Sequence, residues 1–203
     1  MPSLVYSLVI PTLKKQEEVV SQIQEMLCST SVPLEIIATC QPVSAAKNRN
    51  IGLKRATSSL IFMVDDDVTG FPENWAERLL ETMNRQPLCY MVSPRLMAMN
   101  GKYGYITGYP SDNYTGDEVL KKREICTACV LLRKTEILFD ENFVGSGFED
   151  NDYCRQLVQR YPEAQFISVH DLRVIHKNEG NNQRGHNWAK NQRYYEKKRG
   201  KWK

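Results

Sequence analysis

An α/β fold of the doubly wound type, with a central parallel sheet, is predicted for this chain by three observations. Short apolar runs of strand length alternate with segments whose apolar residues recur at helical spacing. The alternation keeps the order strand–helix–strand–helix–strand–helix from Leu4 to Met83, the pattern of βαβ units. The strongest polar cluster, Asp65-Asp66-Asp67, follows directly on a buried apolar run, and in open α/β sheets ligands bind beyond the carboxyl ends of strands.

Leu4–Ile10 reads as the first strand, with Pro11-Thr12 as a break and a helix N-cap. Val19, Val20, Ile23, Met26 and Leu27 follow at helical spacing, and Leu34–Ala38 is a second short strand. Ser44 caps a helix running to Thr57, although Gly52 inside it weakens the pattern. Leu60–Val64 is the third strand. Pro72 suits the first turn of a helix that places Trp75, Leu79 and Met83 on one face. Beyond it, Leu88–Val92 and Ile125–Leu132 read as strands, separated by a Gly/Tyr/Asn-rich stretch from Asn100 to Gly116 that is long for a plain connection. Glu149–Tyr161 reads as a helix with an acidic first turn, and Gln165–Val169 and Leu172–Ile175 as two short strands.

Composition narrows the class. The 203 residues are 41% hydrophobic and 25% charged, the balance of an ordinary globular chain. The longest uncharged stretch, Met1 to Leu13, falls short of the ~20 apolar residues that span a bilayer. Its apolar run ends at Pro11 with no cationic residue before it, unlike a signal peptide. Six scattered cysteines form no disulfide scaffold, and the lone Cys126-x-x-Cys129 inside an expected strand lacks two further ligands for zinc. A cytoplasmic protein with reduced thiols is the expectation. The net charge of +3 is uneven: residues 1–183 carry 19 basic and 23 acidic side chains, whereas 184–203 carry 8 basic and 1 acidic, with Trp188, Tyr194, Tyr195 and Trp202 among them.

The chemistry concentrates in three places. Three adjacent carboxylates at a strand end repel one another unless a cation offsets them, and hard divalent cations such as Mg²⁺ bridge carboxylates to substrate phosphates. In Gly145-Ser-Gly-Phe-Glu149-Asp150-Asn-Asp152, two glycines lead into a helix whose N-terminal dipole holds carboxylates ionised, as a base requires. His176, closing Leu172–His176, gains a role as a metal ligand only beside the aspartates.

The order VIPT (9–12), AAKNRNIGLKRATSSLIFMVDDD (45–67), GFEDNDYC (147–154), VIH (174–176) and the tail NQRYYEKKRGKW (191–202) resembles family 2 glycosyltransferases of the GT-A fold. That resemblance covers nearly the whole chain and implies a Rossmann-like, mixed but mostly parallel sheet flanked by helices. It implies a catalytic domain over 1–183. The charge and aromatics of the tail over 184–203 suit either a lid that closes over the donor, together with the 100–116 segment, or an element that docks on an anionic membrane or the acceptor. The resemblance further implies metal-dependent, inverting transfer from a nucleotide-sugar, a UDP-sugar, to a glycan, lipid-linked or other hydroxyl acceptor. Pro11, Thr12, Lys47, Arg49, Asn50, Asp65 and Asp66 would contact the nucleotide-sugar. Asp67, His176 and Asp65 would hold Mn²⁺ or Mg²⁺, and Asp150, beside Glu149, would be the base. Thr39-Cys40-Gln41 stand where the family often carries acids that read the nucleobase, so the base identity is open.

Two other classes fit parts of the pattern. Asp65-x-Asp67-x-Thr69 also matches the nucleophile motif of haloacid-dehalogenase-type phosphatases, although that motif follows the first core strand rather than a third. The basic tail suits a nucleic-acid-binding module, which the net acidity of residues 1–183 disfavours.

Overall fold

The computed structural model describes residues 5–99, 119–122, 124–177 and 181–200. Along the chain these form β1 (Tyr6–Thr12), a single 3-10 turn (Gln16–Val19), α1 (Val20–Cys28), β2 (Leu34–Cys40), α2 (Ala45–Arg55), β3 (Leu60–Val64) and β4 (Val68–Thr69). Then come α3 (Trp75–Arg85), β5 (Cys89–Met97), β6 (Val119–Lys122), β7 (Cys129–Arg133), α4 (Glu149–Arg160), β8 (Gln165–His176) and α5 (Asn181–Arg199). The 100–116 stretch expected to act as a flap lies outside the described residues.

Among the described residues the strands make one eight-stranded sheet in the order β2-β1-β3-β7-β5-β8-β4, with β6 also on β8. β1 pairs in parallel with β2 and β3, and β5 with β8. β7 runs antiparallel to both β3 and β5, so the sheet is mixed, as the resemblance implies, and not purely parallel. The cause lies in the connection. A parallel neighbour needs a crossover, usually helical, and no helical pattern precedes β7. The outer edge of β8 serves β6 along its first half and β4 at its end.

Alternation along β1 and β3 divides the core. Leu8, Ile10, Phe62 and Val64 face Met26 of α1 and Trp75, Leu79 and Met83 of α3. Val9, Ile61 and Met63 face Ala46 and Leu53 of α2 and Tyr153 and Leu157 of α4. Because β2 and then β3 are laid down on opposite sides of β1, the crossover helices α1 and α2 cover opposite faces, leaving a crevice at the strand ends where the order reverses.

Gly52, which weakened the helix reading, is required by packing. A Cβ there would stand 2.1 Å from Cγ1 of Val9. Alanine normally stabilises a helix interior relative to glycine by about 1 kcal/mol. Here Gly52→Ala is expected to lower stability by about 1–3 kcal/mol, the cost of overpacking a core, as a fall in urea midpoint at unchanged slope. A more stable variant would contradict this packing.

Several boundaries differ from expectation. β1 continues through Pro11-Thr12, because β3 pairing ends at Val9 and a proline is tolerated on a strand paired on one side only. Pro72 lies three residues before Trp75, the first residue of α3, and Asn74, in the left-handed region at φ 59°, forms the helix entry. The Cys126–Cys129 pair straddles a strand start, since β7 begins only at Cys129. The two short strands expected over 165–175 are one strand, interrupted by a bulge where β5 steps from Val169 to Arg173.

The basic tail falls largely on α5. From Asn187 onward, α5 is docked on the segment 140–155 rather than lying free. Asn191, 1% exposed, donates from Nδ2 to the carbonyls of Val144 (2.9 Å) and Ser146 (3.3 Å) and accepts from the Val144 N–H. Lys198 Nζ donates to Asp140 (2.6 Å) and Asp152 (2.8 Å). Burial opposes ionisation of Asp140, but the Lys198 ammonium and neighbouring donors hold its pKa down at about 2. Part of the tail's charge therefore neutralises acids of its own domain.

Candidate active site

The C-terminal ends of β1 and β3, the turn before β7, the end of β8 and the start of α4 converge on one end of the sheet. There they bound a cleft of about 580 Å³, within the range of small-molecule sites. Pro11, Thr12, Arg49, Asp65, Asp66, Asp67, Glu149, Asp150 and His176 all line it. The sequence reading thus collected nine residues from five separate segments.

Each of the three aspartates after β3 has its own partner. Asp65 accepts two bonds from Arg49 Nη2, at 2.9 and 3.0 Å. Asp66 accepts from the Thr12 hydroxyl, tying the ends of β1 and β3 together. Asp67 Oδ1 lies 3.0 Å from Nε2 of His176, because β4 pairs antiparallel with β8 and sets Val68 opposite His176. The turn is held from beneath by Gln22 of α1, whose Nε2 donates to the carbonyls of Asp65 (2.7 Å) and Val68 (2.8 Å).

Asp65, Asp67 and His176 offer ligand atoms that all lie within 4.8 Å of one another. Two hard carboxylates and one imidazole suit Mn²⁺ or Mg²⁺ better than a thiolate-seeking metal, so this donor set fits the expected cation. Burial raises the Asp65 pKa, against the pull of Arg49 and His176 and with the push of Asp67. A bound cation would relieve that repulsion.

Arg49 connects the two acidic groups of the site. Its side chain is 4% exposed, and while Nη2 serves Asp65, Nη1 bonds Glu149 Oε1 at 2.8 Å and lies 3.6 Å from Asp150 Oδ1. A desolvated guanidinium shared by three carboxylates fixes the start of α4 relative to the end of β3. Glu149 is 3% exposed and also accepts from the Gly147 N–H. Asp150 is the more open of the pair, 20% exposed, and is oriented by the N–H (3.2 Å) and hydroxyl of Thr127.

Burial, reinforced by the neighbouring Asp150 charge, pushes the Glu149 carboxyl up to about 6 despite Arg49. A carboxyl raised in the folded state favours folding fully below its ordinary value of 4.5, and that contribution is lost as pH rises through about 6. Glu149→Gln is therefore expected to flatten the decline in urea midpoint across that window. An unchanged slope would assign the titration to another group.

Two expected nucleotide contacts lie elsewhere. Asn50 is buried with its amide committed to Phe139 and Glu141: Nδ2 donates to the Phe139 carbonyl and to Glu141 Oε1, both at 2.9 Å, and Oδ1 accepts from the Phe139 N–H. It anchors the 139–141 segment on α2. Lys47 is not among the residues lining the cleft. On α2 the wall is made instead by Ala45, Asn48 and Arg49. Conversely, Lys14, Cys126, Asn187 and Trp188 line the cleft without having been singled out for it. Lys14 Nζ reaches the Asp66 carbonyl at 3.3 Å. In the sequence Lys14 is one of two adjacent lysines past the first strand and gave no signal, and Trp188 was visible only as part of a charge-rich tail.

Comparison with known proteins agrees with this architecture. A crystal structure of GalNAc-T7 with UDP, GalNAc and Mn²⁺ superimposes with a TM-score of 0.58 at 14% sequence identity. The likeness covers 84% of this chain and 37% of that one, so this chain spans little more than a third of the neighbour's length. At such identity the likeness is one of fold, here the GT-A fold. Comparison with curated proteins gives no match. The sequence model of glycosyl transferase family 2 matches residues 15–135, from the turn before α1 to just beyond β7 and including the Asp65–Asp67 cluster. With more than half its length matched, the chain belongs to glycosyl transferase family 2.

Proposed function

We propose that the chain transfers a sugar from a nucleotide-sugar, with a UDP-sugar as the favoured donor, to a hydroxyl acceptor with inversion at the anomeric carbon. The observation that carries this reading is the Asp65–Asp67–His176 cluster facing the same cleft as Asp150. Family membership supports the reaction type, and the fold neighbour described with UDP and Mn²⁺ supports the donor and the metal.

Asp67 and His176, with Asp65 beside them, would hold Mn²⁺ or Mg²⁺, which when bound neutralises charge developing on the diphosphate leaving group. Pro11, Thr12 and Lys14 line the nucleotide side of the cleft. Asp150 accepts the proton of an acceptor hydroxyl as its oxygen bonds the anomeric carbon and the carbon–diphosphate bond breaks. Arg49 and Glu149 position that carboxylate. A single displacement of this kind inverts configuration. The tail serves the cleft through Asn187 and Trp188, which line it, while Lys198 anchors its far end on Asp140 and Asp152.

The phosphatase alternative needs Asp65 as a nucleophile, yet both its oxygens are engaged by Arg49. Among the described residues no helix is long and apolar enough to cross a membrane. Six free thiols fit a reducing compartment, and we place the reaction in the cytoplasm on that ground.

Hydrolysis of a panel of nucleotide-sugars without acceptor tests the reading, run with Mn²⁺, with Mg²⁺ and with chelator. Metal-dependent release of UDP from at least one UDP-sugar is expected. Release from a phosphate monoester but from no nucleotide-sugar would overturn it.

A further inference from the structure

An exposed tryptophan stands on the wall of the cleft formed by α5 and the Gly145–Phe148 loop. Trp188 is 37% exposed, on a helix otherwise dominated by polar and charged side chains. Trp188 lines the same cleft as Asp150, so its exposed ring surface faces the space a ligand would fill. The ring is also built in place. Phe148 packs against it with ring centroids 5.0 Å apart at 53°.

The glycine loop before α4 makes the placement possible. Gly147 has φ 113°, and a Cβ on it would come within 3.3 Å of Trp188 Cδ1. Gly145, at φ 63°, would put a Cβ 2.7 Å from Asn187 Nδ2. Both positions favour glycine for their positive φ, and both bring the backbone close against α5. A side chain at Gly145 would crowd Asn187, and one at Gly147 would press on the Trp188 ring. The two residues after these glycines, Phe148 and Glu149, lead directly into Asp150, so the aromatic wall and the base are joined by a few bonds of backbone.

The chemistry of this wall differs from the rest of the cleft. The ends of β1 and β3 present carboxylates and Lys14, suited to a cation and a diphosphate. The Trp188 wall presents an aromatic face flanked by the neutral polar groups of Asn187 and Ser146. A flat apolar surface beside amide and hydroxyl groups complements a pyranose ring, whose axial C–H face is apolar and whose rim carries hydroxyls. We propose that Trp188 is the platform of the acceptor subsite and that the acceptor is a saccharide, its ring stacked on the indole with one hydroxyl directed at Asp150. This rests on the transferase reading above and narrows its acceptor from any hydroxyl compound to a sugar.

The test uses the full chain, a UDP-sugar found to be hydrolysed with Mn²⁺, and three acceptor probes: methyl glycosides of common hexoses and N-acetylhexosamines, a Ser/Thr peptide, and a long-chain alcohol. At least one methyl glycoside is expected to raise UDP release and yield a disaccharide. Trp188→Ala is expected to raise the KM for that glycoside about tenfold or more while shifting the KM for the donor less than threefold. Trp188→Phe, which keeps a ring face, is expected to recover most of the acceptor affinity. If Trp188→Ala raises the donor KM instead, the indole stacks on the nucleobase and the proposal fails. It fails equally if only the peptide or the alcohol accelerates release, or if alanine leaves the glycoside KM unchanged. In each of those cases metal-dependent UDP release persists in the wild type, whereas its absence would fault the transferase reading itself.

Discussion

Replacing Asp150 with asparagine is expected to lower sugar transfer by about 10²–10⁴-fold, the range a positioned general base contributes. The substitution keeps the shape and can keep an oxygen for the Thr127 N–H, so the loss belongs to proton acceptance. Donor affinity should stay within a few-fold, because that interaction matters in the transition state and not in the ground state. Steady-state kinetics with KM for donor and acceptor measured separately checks this. Asp150 is singled out over Glu149 by accessibility: Glu149 is nearly enclosed and bound to Arg49 and the Gly147 N–H, whereas Asp150 is open to the cleft. Retained turnover in the asparagine variant would transfer the role to Glu149.

The second large effect concerns the metal cluster. Asp67→Ala removes the carboxylate that faces His176 and should weaken UDP binding by about 100-fold, in line with the several kcal/mol that a bound cation supplies to phosphate charge. Chelation of the wild type should reproduce the loss, and adding chelator to the variant should change little further. Calorimetric titration with UDP, with and without Mn²⁺, measures all four states. The Asp67 carbonyl, which accepts from the Lys177 N–H at 2.9 Å, survives the substitution, so the β4–β8 junction should hold and the melting temperature should move little. Equal UDP affinity with and without metal would remove the cation from the account.

Much of this site was legible because its residues follow local rules. An apolar run that stops at a carboxylate locates a strand end, which is why Val64-Asp65 marked the cleft correctly. Ser44 caps α2 by accepting from the Lys47 N–H, and Glu149 opens α4, both at positions the cap and charge patterns indicate. Residues whose role depends on the third dimension were less readable. Arg49 and Asn50 are neighbours in one helix, yet one bridges the two acidic groups and the other faces away to hold the 139–141 segment. Helical spacing does not distinguish a charge aimed at a ligand from one aimed at its own domain. The direction of β7 was equally hidden, since an apolar run carries no sign for parallel or antiparallel pairing. The docking of the tail was hidden because the counter-ions of Lys198, Asp140 and Asp152, are 58 and 46 residues distant in sequence. The aromatic docking of Tyr195 against Phe148, at 5.5 Å between centroids, is likewise nonlocal.

The central claim is that one cleft holds a divalent cation through Asp67 and His176 and, through that cation, the diphosphate of a nucleotide. A crystal of the protein grown with UDP and Mn²⁺, with data collected at the manganese absorption edge, measures this directly. The account predicts one strong anomalous peak within coordination distance of Asp67 and His176, bridged to the UDP diphosphate, with the uridine toward Pro11 and Thr12 and the opposite end of the cleft open toward Asp150 and Trp188. A manganese peak remote from these residues, or UDP bound in the cleft with no cation between it and the aspartates, would contradict it.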